Sequence, residues 1–187
     1  MRGGANWINM LFNKSENISI YSMYYKDRDK INDLAIHLRN VTSEKNIVIV
    51  CIGTDRCIGD CVAPIVGTIL IESGFRFPVY GTLHEPIHAL NIREKLAKIE
   101  KDHNNPFIIG IDACLGDKED IGIIRIKNEP ITPGSGKGEN LPDVGNISII
   151  GIVHEVKDIT PFTESGIRLS FVNDVARVIA RILIQSQ

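Results

Sequence analysis

Four acids follow apolar runs. Asp55 and Asp60 follow residues 46–52, Glu85 follows residues 77–80, and Asp112 closes residues 107–111. If those runs are parallel neighbouring strands, their acids converge on one rim, and open α/β sheets bind ligands beyond the carboxyl ends of their strands. Two carboxylates brought close cannot both ionise easily, so one keeps a proton while the other is left as a base. Such a pair can activate water against an amide.

Each acid also has a plainer role. Asp60 stands just before an expected helix and would serve as its N-cap, meeting the backbone N–H groups and the positive end of the dipole. Asp55 suits a turn, and Glu85 suits a cap before Pro86. Asp112 is harder to explain as scenery, because an acid that ends Phe-Ile-Ile-Gly-Ile needs a partner or a purpose. His88, expected in the first turn of a helix, would have its pKa lowered there and serve as a neutral base or metal ligand, or else as a core histidine. His154 is a weaker candidate of the same kind. No ligand spacing demands a metal, and no metal or cofactor is expected.

The loop Pro133-Gly134-Ser135-Gly136-Lys137-Gly138 invites a phosphate-binding reading. It lacks the parts: Gly138 stands where a hydroxyl residue belongs, Ile131 where the first glycine belongs, and no helix follows. A flap over the rim is the more economical role, with Gly134 and Gly136 letting backbone approach a substrate chain.

The elements that must position these groups follow from periodicity. Residues 29–42 place Ile31, Leu34, Ala35, Leu38 and Val41 on one helical face. Residues 46–52 are continuously apolar and β-branched, as in a strand buried on both sides. A helix over 61–73 tolerates Pro64 in its first turn. A short strand at 77–80 precedes a helix from Pro86 carrying Ala89, Ile92, Leu96 and Ile99. Strands at 107–111, 122–127 and 147–153 and a helix at 173–185 complete the chain. Alternating strands and helices predict an α/β fold, three-layer α/β/α with a mostly parallel sheet. Residues 1–26 are read as an N-terminal extension, with 18–25 extended against the body, and 27–187 as a single domain.

Composition narrows the classes. The chain has 187 residues, 43% apolar and 24% charged, with net charge −2. That balance describes a globular protein, offers no basic surface for nucleic acid and contains no membrane span. The apolar cluster at 10–12 is too short for a secretory signal, so a cytoplasmic location is expected. Four cysteines without a C-x-x-C pair read as reduced, small apolar residues. The charge permits homo-oligomerisation without requiring it.

Several blocks, in order, resemble the YyaC family of sporulation proteins. They are Ile52-Gly53-Thr54-Asp55-Arg56 with Gly59-Asp60, Tyr80 to Ala89, Ile111 to Gly116, Pro133 to Gly138, and Leu141 to Ser148. The resemblance spans roughly residues 45–185. It implies kinship with the spore germination protease and, more distantly, the hydrogenase maturation proteases, and hence a phosphorylase/hydrolase-like fold. Carried over by position, Asp60 and Asp112 match the two acids implicated in the germination protease and become the expected catalytic pair. Asp55, Glu85, His88, Gly134 and Gly136 are then expected to contact substrate. In the hydrogenase relatives acids at similar places recognise nickel, so Asp60 with Glu85 or His88 is a conceivable metal-sensing set. Cys57 and Cys61 stand where hydroxyl residues are usual in the family, and His84 where an acid is usual. The expected activity is that of a spore-associated endopeptidase acting in the forespore or spore interior on a protein or peptide, small acid-soluble spore proteins among them. The alternatives are a binding protein that keeps the fold without cleaving, and a metal-dependent hydrolase or maturation factor.

Overall fold

The structure, a computed structural model, describes residues 20–134, 141–156 and 166–187. Six strands form one sheet in the order β1-β5-β6-β4-β2-β3. They are β1 (Ile20–Tyr24), β2 (Ile47–Cys51), β3 (Val79–Tyr80), β4 (Phe107–Gly116), β5 (Ile123–Lys127) and β6 (Ile147–Glu155). Four helices accompany them: α1 (Ile31–Thr42), α2 (Val62–Glu72), α3 (Ile92–Asp102) and α4 (Leu169–Gln185).

The fold is α/β, but the sheet is mixed rather than mostly parallel. The ladders β6–β4, β4–β2 and β2–β3 are parallel, whereas β1–β5 and β5–β6 are antiparallel. The cause is the connection after β4. Residues 117–122 form only a 3₁₀ turn, too short for a crossover, so the next strand must run back. It does so on the far side of β6, and β1 then pairs onto it.

Alternation along β2 divides the core. Ile47, Ile49 and Cys51 pack with α1, α2 and α4, while Val48, Val50 and Ile52 pack with Ile92, Leu96 and Ile99 of α3. Every residue of β2 is buried, as a strand covered on both faces requires. Helix α4 buries Val172, Val175, Ala176, Ile179, Ala180, Ile182 and Leu183 on one stripe. It starts at Leu169, ahead of the expected position. Its last carbonyls are met by Arg39 of α1, whose Nη2 donates to Gln185 O at 2.6 Å. Helix α2 closes on a Schellman turn, with Phe75 N–H donating to Leu70 O at 3.0 Å and Gly74 at φ 69°.

The helix expected from Pro86 starts instead at Ile92. Ile87 forms a parallel bridge with Ile52, and its carbonyl accepts from Gly53 N–H at 2.7 Å. That extended segment cannot also be helical. Ala89, expected on the core face, is exposed. Among the described residues no helix is long and apolar enough to cross a membrane.

Candidate functional site

The loop after β2 brings Asp60 to the rim. Ile52 N–H donates to Ile111 O at 2.8 Å, so β2 stays tied to β4 up to its last residue, and the chain then turns at Gly53. Gly53 has φ 149°, and a Cβ there would collide with the carbonyl oxygen of Asp60 and lie 3.0 Å from Pro64 Cδ. Only glycine permits that approach. Thr54 N–H donates to Asp60 O at 3.2 Å, closing the loop, and Ile58–Cys61 forms a 3₁₀ turn that leads into α2. The N-cap of α2 is Cys61, and neither it nor Cys57, the N-cap of the turn, makes a side-chain capping bond. Asp60 is therefore not the helix cap its position suggested.

Asp112 does not end its strand. Strand β4 continues to Gly116 because β6 goes on pairing with it, Asp112 opposite Ile150 and Cys114 opposite Ile152. Asp112 nevertheless reaches the rim, since β2 stops opposite Ile111 and leaves the next residue of β4 uncovered on that side. Its Oδ1 accepts the N–H of Ala113 at 2.8 Å. Burial, and then the negative charge of Asp60, hold its carboxyl well above the ordinary range, with the Ala113 N–H opposing them. The shift favours the protonated form of Asp112, and part of it comes from the charge of Asp60.

The thiols extend the neighbourhood. Cys61 is raised to about 11 by burial and by the charges of Asp55, Asp60 and Cys57, and its Sγ lies 3.3 Å from Cys57 O and 3.4 Å from Thr54 O. Cys114 is raised to about 11 by burial and by Asp112, with Arg125 and Lys127 opposing. Cys51 is pushed up further by complete burial. All four cysteines are free, and these three stay protonated near neutrality, so none of the three supplies a thiolate nucleophile. The charge of Asp55 also acts on Cys61.

Glu85 and His88 flank Ile87, which bridges Ile52 and binds Gly53 N–H. Glu85 is exposed in a turn whose backbone N–H donates to Thr82 Oγ1 at 3.0 Å, and it caps nothing. His88 lies outside α3, so the helix dipole does not act on it as expected. Its N–H is bound by Asn91 Oδ1 at 2.9 Å, while Asn91 Nδ2 donates to Pro86 O at 3.0 Å. Among the described residues no group of three or more His, Cys, Asp and Glu side chains is arranged to hold a metal ion. His154 sits opposite Leu115, past a bulge between Cys114 and Leu115.

The described residues on either side of the glycine loop reach β4. Ile131 and Val144 bridge each other, and both press on Gly110, two residues before Asp112: a Cβ there would lie 2.8 Å from Ile131 Cδ1 and 3.0 Å from Val144 O. Gly134 turns at φ 72° just beyond that bridge. Gly136 and Lys137 lie outside the described residues. A cleft of about 360 Å³, lined by Leu96, Glu100, Asn105, Asp143 and Asn146, opens near the amino ends of β4 and β6, away from the acids.

Two features escaped the sequence reading. Ser148 is fully buried opposite Gly110, and its hydroxyl has no partner among the described residues. A serine inside Asn-Ile-Ser-Ile-Ile was the available signal. Arg125 of β5, opposite Ile150, pairs with Asp120 at 2.6 Å.

A family model described as "Protein of unknown function (DUF1256)" matches residues 22–182. The chain is also 44% identical over 137 residues to the "Uncharacterized protein YyaC" of Bacillus subtilis (strain 168), an alignment covering 73% of this chain and 67% of that relative.

Proposed function

This chain belongs to the DUF1256 family and is a relative of YyaC, and on that premise we propose that it is an endopeptidase of sporulation or germination. The observation that carries the reading is Asp112, a carboxyl lifted by burial and by the charge of Asp60 at the rim of the sheet. Asp60 takes a proton from a water held between the two, the oxygen attacks a peptide carbonyl, and Asp112 gives its proton to the carbonyl oxygen. On collapse Asp60 protonates the leaving amine, Asp112 recovers its proton from a hydroxyl of the tetrahedral intermediate, and the pair is restored. The segment around Gly134 and Gly136 flanks the substrate, Lys137 meets developing charge, and Asp55, Glu85 and His88 hold more distant parts of the chain.

A three-layer arrangement is supported by the two core clusters on opposite faces of β2, and a phosphorylase/hydrolase-like fold by the kinship with YyaC. The substrate class is a protein of the spore interior, such as a small acid-soluble spore protein, and the location is the forespore. The test is incubation of the protein, Asp60→Asn and Asp112→Asn with such a substrate, read by intact-mass spectrometry. Cleavage by the parent and by neither variant supports the reading. A substrate left whole by all three, yet captured intact, supports instead a binding protein built on the same fold.

A further inference from the structure

Strand β1 is the outermost strand at its end of the sheet. Tyr25 N–H donates to Gly122 O at 2.9 Å, and the same phase runs through Met23 opposite Ile124 and Tyr21 opposite Ile126. In an antiparallel ladder those residues direct their N–H and C=O groups to β5, so the groups of Ile20, Ser22 and Tyr24 point outward. The Tyr24 carbonyl accepts from Asp27 N–H at 2.9 Å in the turn that follows, and for the other groups no partner is found among the described residues. An unpaired edge of this kind is a template for another strand, and proteins usually blunt it with charge, proline or a bulge. Ile-Tyr-Ser-Met-Tyr carries none of these, and its pairing with β5 has no register shift. Its β-branched and aromatic residues favour strand geometry.

We propose that β1 pairs antiparallel with β1 of a second copy of this chain, about a two-fold axis at Ser22. In that register Ser22 faces Ser22 of the second copy and the two exchange both their backbone bonds, while Ile20 faces Tyr24 and Tyr21 faces Met23. The strand is complementary to itself: hydroxyl meets hydroxyl, and each aromatic ring meets an aliphatic side chain. No charged residue lies within the strand, and Lys26 and Asp27 come only after its end, so in the antiparallel arrangement these two residues of the two copies lie at opposite ends. The side chains that would meet are already ordered. Tyr21 stacks on His37 with ring centroids 3.6 Å apart, and Tyr24 packs edge-on to Tyr25 at 4.9 Å. Preorganisation lowers the entropy cost of association. The resulting sheet continues through both copies, with the acids of each at a distance from the junction.

The test is sedimentation equilibrium of the full 187-residue chain from low to high micromolar concentration, with hydrogen exchange read by mass spectrometry. Ser22→Pro removes a donor that the sheet itself does not use, and Ser22→Lys places charge against charge at the axis. Circular dichroism establishes that each variant is folded, and either one alone suffices. A monomer–dimer equilibrium is expected, weakened about thirtyfold by Ser22→Pro through the loss of two backbone hydrogen bonds. Amide protection at Ile20, Ser22 and Tyr24 is expected to rise with concentration. A monomer throughout the range, or a dimer indifferent to both substitutions, overturns the proposal. So does protection at those amides that is independent of concentration, which would put another segment of the same chain on the edge. None of these readouts depends on peptidase activity.

Discussion

Gly53→Ala should damage the site through the backbone alone. At φ 149° an alanine is outside the conformations L residues adopt, and its Cβ would overlap the carbonyl oxygen of Asp60. Neither neighbour can yield freely, because Gly53 N–H is bound to Ile87 O at 2.7 Å and Asp60 O accepts from Thr54 N–H at 3.2 Å. The forced conformation costs about 1–3 kcal/mol. Breaking the Thr54–Asp60 bond to relieve the overlap adds about 1 kcal/mol, for a total of about 2–4 kcal/mol. Gly74→Ala is the control: φ is 69°, but nothing lies within 4 Å of the added Cβ, so only the conformational cost of about 1 kcal/mol remains. Urea unfolding followed by far-ultraviolet circular dichroism measures both. If Gly53→Ala destabilises no more than Gly74→Ala, the close packing of the loop on Asp60 is wrong.

Two other outcomes follow from the same neighbourhood. The Asp112 carboxyl is raised in the folded state, so its contribution to stability is fully present below the unfolded value of about 4 and is lost as pH rises toward the folded one. Denaturation midpoints of Asp112→Asn should therefore decline less than those of the parent between acid and neutral pH; equal declines would contradict the shift. Cys61 and Cys114, each raised to about 11, and the fully buried Cys51 should resist iodoacetamide at neutral pH in the folded protein and react on unfolding, as peptide mass mapping would show. Fast alkylation of Cys61 in the native state would overturn the electrostatic picture around Asp60.

The long apolar and periodic segments were legible in the sequence. Residues 46–52 gave β2, the stripe from Ile31 to Leu38 gave α1, and the acids after the strands pointed to the rim where Asp60 acts on Asp112. What escaped depends on pairing rather than pattern. Asp112-Ala-Cys-Leu-Gly looks like a loop, yet β6 extends it as a strand. The apolar spacing from Ala89 to Ile99 suggested one helix from Pro86, but the Ile87 bridge and the Asn91 side chain hold the first six residues out of it. The reversal of β5 follows from a short connection whose significance appears only when its neighbour is known.

The central claim is the coupling of Asp60 to Asp112, and the most direct measurement is a carbon-13 NMR titration of the aspartate side-chain carboxyls, with Asp112 assigned by its loss in Asp112→Asn. The account predicts that Asp112 titrates well above the ordinary aspartate range and that Asp60→Asn, by removing the neighbouring charge, brings it down part of the way, burial keeping the rest. Titration in the ordinary range, or a raised value that Asp60→Asn leaves unmoved, would contradict it.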